Sequence, residues 1–267
     1  MVTKNTHLAI KLMVVAAASL ALGAGLTVAD NWQNILEKTK AKYANYENEI
    51  QDMITLQEIQ MMTPGRVLTA DSKMFKKGEK FRMESVVEMP EMPKEMGGMR
   101  TVVINDGKAT WMISSILGKQ KLSGEEEAQY QTEGDWWGFL TEKAKLIGSE
   151  RIDSRTCHVV EIEEGRGVPY SKIWIDEKHL VLVRANSKGP QGQHIQMDFS
   201  DFRKIGSGWE IPYKTDVYMD GDLISTVLVK AIEINKGLSD ELFDPENADV
   251  EGPSMQDMMR MMQEQNQ

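Results

Sequence analysis

The sequence predicts a mainly β protein of the α+β class, in which one curved antiparallel sheet of about eleven strands follows an N-terminal helix. Three observations predict it. Between residues 170 and 245, runs rich in Val, Ile, Tyr and Trp are separated by short turns bearing Gly, Asp or Asn. Connections this short permit antiparallel neighbours only, because parallel strands need a long crossover. Residues 30–48 instead repeat apolar side chains every three or four positions.

Each element follows in chain order. Trp32, Ile35, Leu36, Thr39, Tyr43 and Tyr46 form one apolar helical stripe over 30–48, with Asp30 or Asn31 as N-cap. Such a helix needs an apolar surface to lie on. Residues 49–62 alternate as a strand and end at Thr63-Pro64-Gly65. Strands over 67–76 and 80–88 form a hairpin around Lys77-Gly78-Glu79. Residues 89–99 form an irregular insert with two Pro and two Gly. Strands over 100–104 and 108–114 pair across Asn105-Asp106-Gly107, a strong hairpin signal. Two short helices follow: Ser123 and Glu126 have capping-box spacing, and Asp135 caps 136–143. Strands over 145–151 and 156–163 turn at Asp153-Ser154. The remaining strands are 170–176, 179–186, 193–202, 209–219 and 223–234. A sheet this large tends to curl, since closure hides its edges.

The ends of the chain differ from its middle. Lys4 and Lys11 precede an apolar run over 12–28, and the small residues Thr27 and Ala29 mark a cut ahead of Asp30. This is the pattern of an export signal. Three segments are expected: a leader over 1–29, one domain over 30–250 and a Met- and Gln-rich tail over 251–267. Removing the leader leaves 238 of 267 residues, with 29 basic against 41 acidic side chains and a net charge of −12. So acidic a chain is a poor ligand for nucleic acid. Cys157 is the single cysteine, so no disulfide forms within the chain, and Glu161 and Glu163 argue against a reactive thiol there.

Nothing in the sequence marks an enzyme or a cofactor. His158, His179 and His194 have no metal-ligand spacing, and Gly206-Ser207-Gly208 sits between strands rather than before a helix. Trp136, Trp137, Phe139 and Leu140 are too apolar for an exposed connection. They either cover the sheet as ordinary packing or form the underside of a lid over a cavity. The methionines allow two functional readings. Met83, Met89, Met92, Met96 and Met99 cluster early, and Met255, Met258, Met259, Met261 and Met262 cluster in the tail. Either they give an adaptable apolar surface, or Met89, Met92, Met96 and Met99 offer thioethers to Cu(I).

The order of elements resembles a known family. A helix, hairpins and a helical insert are followed by the strand Lys172-Ile173-Trp174-Ile175-Asp176 and then by Leu180-Val181-Leu182-Val183-Arg184. Met197-Asp198-Phe199-Ser200-Asp201-Phe202 and a closing stretch over 237–245 complete the pattern. It looks like the LolA/LolB superfamily of periplasmic lipoprotein carriers. The resemblance implies a half-open barrel with short lid helices over an apolar cavity. It also implies a periplasmic, non-enzymatic carrier of lipid or lipoprotein acyl chains that meets inner- or outer-membrane transport proteins. On that reading Trp111, Trp136, Trp137, Phe139, Leu140 and Trp174 line the cavity or its lid. The family's carriers latch the lid with an arginine, for which Arg66, Arg82 and Arg100 are candidates. Copper handling through the methionines, and a sensor module that binds a protein partner, stand as the alternatives.

Overall fold

The computed structural model describes residues 24–87, 98–114, 117–123, 127, 136–163, 170–189, 191–248 and 250. Helix α1 (Ala24–Glu49) leads into β1 (Asp52–Thr63), β2 (Arg66–Lys77), β3 (Lys80–Val87), β4 (Met99–Asn105), β5 (Thr110–Ser114) and β6 (Gly118–Lys121). A 3-10 turn at Trp136–Phe139 precedes β7 (Lys145–Ile152), β8 (Arg155–Glu161), β9 (Lys172–Asp176) and β10 (Leu182–Lys188). Then come β11 (His194–Ile205), β12 (Trp209–Met219) and β13 (Asp222–Ile234), and two 3-10 turns, Asp240–Phe243 and Pro245–Asn247.

All thirteen strands form one sheet in the order β6-β5-β4-β3-β2-β1-β13-β12-β11-β10-β9-β8-β7. Two meanders, β1 to β6 and β7 to β13, are therefore joined along the antiparallel pair β1–β13. The sheet is curved and unclosed, a half-open barrel with an N-terminal helix. Every turn expected between adjacent strands is present. At the tightest, Asp220 and Gly221 both take positive φ (50° and 94°) between β12 and β13, as a two-residue hairpin demands.

Three expectations need correction. There are thirteen strands among the described residues rather than about eleven. Strand β6 escaped because Gly118-Lys119-Gln120-Lys121 has no apolar alternation and is exposed throughout, as suits a protected sheet edge. Helix α1 begins at Ala24, ahead of the expected cut, so neither Asp30 nor Asn31 caps it. No proline stands between Ala24 and Asp30 to stop it. The helix expected over 136–143 is a four-residue 3-10 turn, in which Gly138 disfavours a longer helix. Residues 124–126, where the capping box falls, and Asp135 lie outside the described residues.

Three apolar clusters pack on the two faces of the sheet; one of them, Cys157, Val159, Trp174, Val181 and Val183, lies on the face away from α1. On one face α1 lays Trp32, Ile35, Leu36, Thr39 and Tyr43 against Val160, Ile173, Ile175, Leu182 and Ala185. On the opposite face the segment 235–250 packs Phe243, 1% exposed, over Phe75, Val102, Ile104 and Ile113. Asp52 anchors that segment. Its carboxylate accepts the backbone N–H groups of Lys236 (2.7 Å), Gly237 (2.7 Å) and Leu238 (3.1 Å). Burial alone would raise its pKa, but the three N–H donors, with Lys77, outweigh burial and hold it below the ordinary 3.8.

Asp52→Ala is expected to lower stability by about 2 kcal/mol in urea unfolding at neutral pH, since three backbone N–H groups lose a charged acceptor. A depressed carboxylate contributes fully above 3.8 and loses its contribution as pH falls through the lower folded value. The stability gap between wild type and variant should therefore close only in strong acid.

Candidate functional site

In a strand, successive side chains point to opposite faces, and residues directly opposite across a ladder share a face. The registers can therefore be read straight across the sheet. From β11 to β4 one row runs Phe199, Thr215, Val227, Ile59, Ala70, Val87, Met99. Phe199 packs against the α1 cluster, so this row lies on the helix-bearing face. A neighbouring row runs Met197, Val217, Ser225, Met61, Leu68. On the other side a row of uncharged polar groups runs Val229, Gln57, Ser72, Ser85, Thr101, Ser114. Beyond it lies Ile232, Thr55, Met74, Met83, Val103, Met112. None of these four rows contains a charged residue.

The rows between them, on the opposite face, are charged. Asp198, Asp216, Thr226 and Gln60 form one, and Lys214, Leu228, Glu58, Asp71, Val86 and Arg100 another. Ion pairs run along this face: Arg184 to Asp198 (2.5 and 2.8 Å), Lys214 to Asp216 (2.7 Å), Lys230 to Glu58 (3.0 Å) and Arg82 to Glu84 (2.6 Å). Antiparallel sheets that bury one face and wet the other sort their side chains in this way. Here, however, the apolar face is only partly covered. Most residues of its four rows are half-buried, including Ile59, Met61, Leu68, Met74, Met83, Met112, Val217, Val227 and Val229. The buried exceptions are Ala70, Val103 and the hydroxyl residues Thr55, Ser72 and Ser114.

Glu127 accepts from the Thr110 hydroxyl (3.2 Å) on the apolar face, and Trp136 lies in the α1 cluster on the same face.

The structure sorts the expected site residues into two groups. Trp136, Trp137, Phe139 and Leu140 sit together on the helix-bearing face. The Trp137 ring stacks on Tyr43 (4.1 Å, 9°) and Trp136 meets Tyr43 edge-on (5.2 Å). Phe139 meets Tyr170 edge-on (5.9 Å), while Leu140 is fully buried. Tyr46 bridges Trp137 and Trp209 (6.0 and 5.2 Å). These rings fill the space between α1 and the 3-10 turn, at one end of the open face. The carbonyl of Leu180 accepts from the Tyr43 hydroxyl, and that of His179 from Lys42. Burial pushes the Tyr43 phenol well up and is the main cause lowering Lys42, against Glu210 and Asp176, which raise it.

Trp111 and Trp174 lie on the opposite face. Trp111 is opposite Ile104, in the cluster under Phe243, with Lys119 and Lys121 over its ring. Trp174 donates to Glu150 (2.8 Å), and Arg184 lies over its ring. Of the latch candidates, Arg82 and Arg100 are on the charged face, and Arg66 is at the rim of the apolar one, opposite Thr63. Met99 is on the apolar face, while Met89, Met92 and Met96 lie outside the described residues. No group of His, Cys, Asp or Glu suited to a metal is found among the described residues. Cys157 is fully buried, and its thiol is pushed up to about 11, first by burial and then by Asp176. The apolar face itself was missed by sequence reasoning. Its signal was present in alternations such as Met53 to Met61, but face assignment needs the registers.

Comparison with solved structures agrees with this geometry. A DUF1329 family protein from Desulfovibrio piger superposes with a TM-score of 0.58 at 17% identity, covering 82% of this chain and 98% of that one. A domain described as an outer membrane lipoprotein-sorting protein, from Vibrio parahaemolyticus, gives 0.58 at 12%, covering 82% and 98%. A LolA superfamily protein from Nitrosomonas europaea gives 0.55 at 18%, covering 81% and 98%. The fold is LolA-like. One family model, described as an uncharacterized protein, matches residues 140–248. No curated protein matches the sequence. Within the LolA-like sheet that matched stretch holds the meander β7 to β13 and the Phe243 clamp.

The contrast between packed cluster and open face is measurable. Leu140→Ala, at a site with no exposure, is expected to cost about 2–5 kcal/mol in denaturant unfolding. Met83→Ala, on the half-open face, should cost below about 1 kcal/mol, because its side chain is only partly removed from water.

Proposed function

We propose that this LolA-like chain is a non-enzymatic carrier that shelters the acyl chains of lipids or lipoproteins against its apolar face. The observation that supports it most is the run of four uncharged rows, each crossing five to seven strands, left partly exposed on one face of a curved sheet. A protein gains nothing by leaving so broad an apolar surface to water, and contiguous patches of this kind mark binding sites. Each buried CH₂ of a guest contributes about 0.8 kcal/mol, so a long chain can be held without a charged contact. Gln57, Ser85 and Thr101, half-buried in that row, add uncharged hydrogen-bonding groups for ester or amide linkages. One of the solved structures that shares the fold is described as a lipoprotein-sorting domain, which agrees with this reading.

In this reading a leader over residues 1–29 exports the chain to the periplasm, and transport proteins of the inner or outer membrane exchange cargo with it. Trp137 and Tyr46, half-buried at the end of the α1 cluster, border the guest. Trp136, Phe139 and Leu140 hold the wall behind them, and Trp111 and Trp174 take no part.

Protein purified without detergent should carry lipid visible by native mass spectrometry, and the stripped protein should take up a fluorescent fatty acid. Met83→Glu places a charge in the middle of the apolar rows and is expected to weaken uptake at least about tenfold while the fold, followed by circular dichroism, persists. Trp111→Ala and Trp174→Ala should leave uptake unchanged. An empty protein that takes up no fatty acid would defeat the proposal.

A further inference from the structure

The methionines are distributed in a way that holding acyl chains does not by itself require. All nine methionines among the described residues lie in strands, and eight of them face the helix side: 53, 61, 74, 83, 99, 112, 197 and 219. Met62 is the exception. None belongs to the buried core, which is packed by Ile, Val, Leu, Ala and aromatic residues. All eight are half-buried instead, so part of each side chain meets solvent. In the four rows Leu68 is the single leucine. Leucine would supply similar apolar area. What methionine adds is a flexible chain and a thioether that oxidises reversibly.

A second observation concerns the neighbours. Met74, Met83 and Met112 each have a hydroxyl two residues away on the same face: Ser72, Ser85 and Ser114. Met74 and Met83 are also directly opposite one another. Ser85 donates to Ser72 (3.4 Å), so a sulfoxide formed at these sulfurs draws its donors from water over the empty face, whereas an acyl chain lying over it would offer none. Oxidation therefore stabilises the face in its empty, hydrated form and penalises the loaded one. The other oxidisable side chain, Cys157, is fully buried and its thiol stays protonated, so it does not compete.

We infer that the apolar face is a site of reversible methionine oxidation that releases bound acyl chains; this rests on the carrier reading above. With a peroxide as oxidant, the O–O bond breaks and an S–O bond forms. The sulfur gives up two electrons, and the peroxide leaves as water or alcohol. A thiol-dependent sulfoxide reductase reverses the step: the oxygen departs as water and two thiols become a disulfide.

The test uses the full chain, a fluorescent fatty acid and graded hydrogen peroxide, with peptide mapping by mass spectrometry. The expected result is sulfoxide on the helix-face methionines, at least about tenfold weaker fatty-acid binding, and recovery after methionine sulfoxide reductases with dithiol. A variant carrying Met61→Leu, Met74→Leu, Met83→Leu and Met112→Leu, each protein compared with its own binding before oxidation, should lose a much smaller fraction of that binding to peroxide than the wild type loses. If that variant does not fold, Met83→Leu and Met112→Leu alone should each blunt the loss. Mapped sulfoxides with unchanged affinity would overturn the inference and leave the carrier reading standing. So would face sulfurs that stay reduced at peroxide levels that oxidise free methionine. A protein that binds no probe before oxidation would remove the carrier reading, and this inference with it.

Discussion

The two-residue period of the strands, applied across one unbroken ladder, is the constraint on which everything else in this molecule depends. It sends Glu58, Asp71, Lys73, Glu84, Asp198, Lys214 and Asp216 to one side and leaves the other side without a charge over four rows. A slip of one residue anywhere in the ladder would exchange the two faces of a strand and drive carboxylates into the apolar rows. The β1–β13 pairing carries this order from one meander to the other, with one register shift beside Gln57 that keeps Val229 and Val227 on the apolar side.

Packing covers different strands on the two faces. Helix α1 and the Trp136–Phe139 turn close the apolar face over β8 to β10. On the opposite face, Cys157, Val159, Trp174, Val181 and Val183 pack behind those same strands, and the segment around Phe243 closes β2, β4 and β5, where that side turns apolar with Phe75, Val102, Ile104 and Ile113. The helix side keeps a partly exposed apolar surface over the strands that α1 does not cover. Stability is supplied by the packed regions, through fully buried residues such as Leu140, Ile173, Ile104 and Phe243. The open surface contributes less to folding, and its methionines give it a flexible, polarisable character.

Much of the architecture was legible from residue pattern alone. The apolar stripe from Trp32 to Tyr46, the turns at Asn105-Asp106-Gly107 and Asp220-Gly221, and the strands they join are local properties, and local rules find them. Strand β6 was not legible, because Gly-Lys-Gln-Lys pairs through its backbone and has no apolar side chain to betray it. The Trp136–Phe139 turn was legible as apolar, but its ring partners Tyr43 and Tyr46 are nearly a hundred residues earlier. Trp111 and Trp174 show the limit most clearly. As large aromatic residues they invite assignment to a cavity, yet only the register says which way they point, and both point to the charged side. The methionines carried the converse error: scattered along the sequence from 53 to 219, they form one surface only when the ladder is laid out.

A guest on the helix side of the sheet and nowhere else would reveal itself in the NMR signals of labelled methionine methyl groups as a spin-labelled fatty acid is added. Signals of the helix-side methionines, Met61, Met83 and Met112 among them, should broaden at the lowest additions while Met62, on the opposite face, stays sharp. Equal broadening of Met62, or no broadening at all with the probe bound, would rule that placement out.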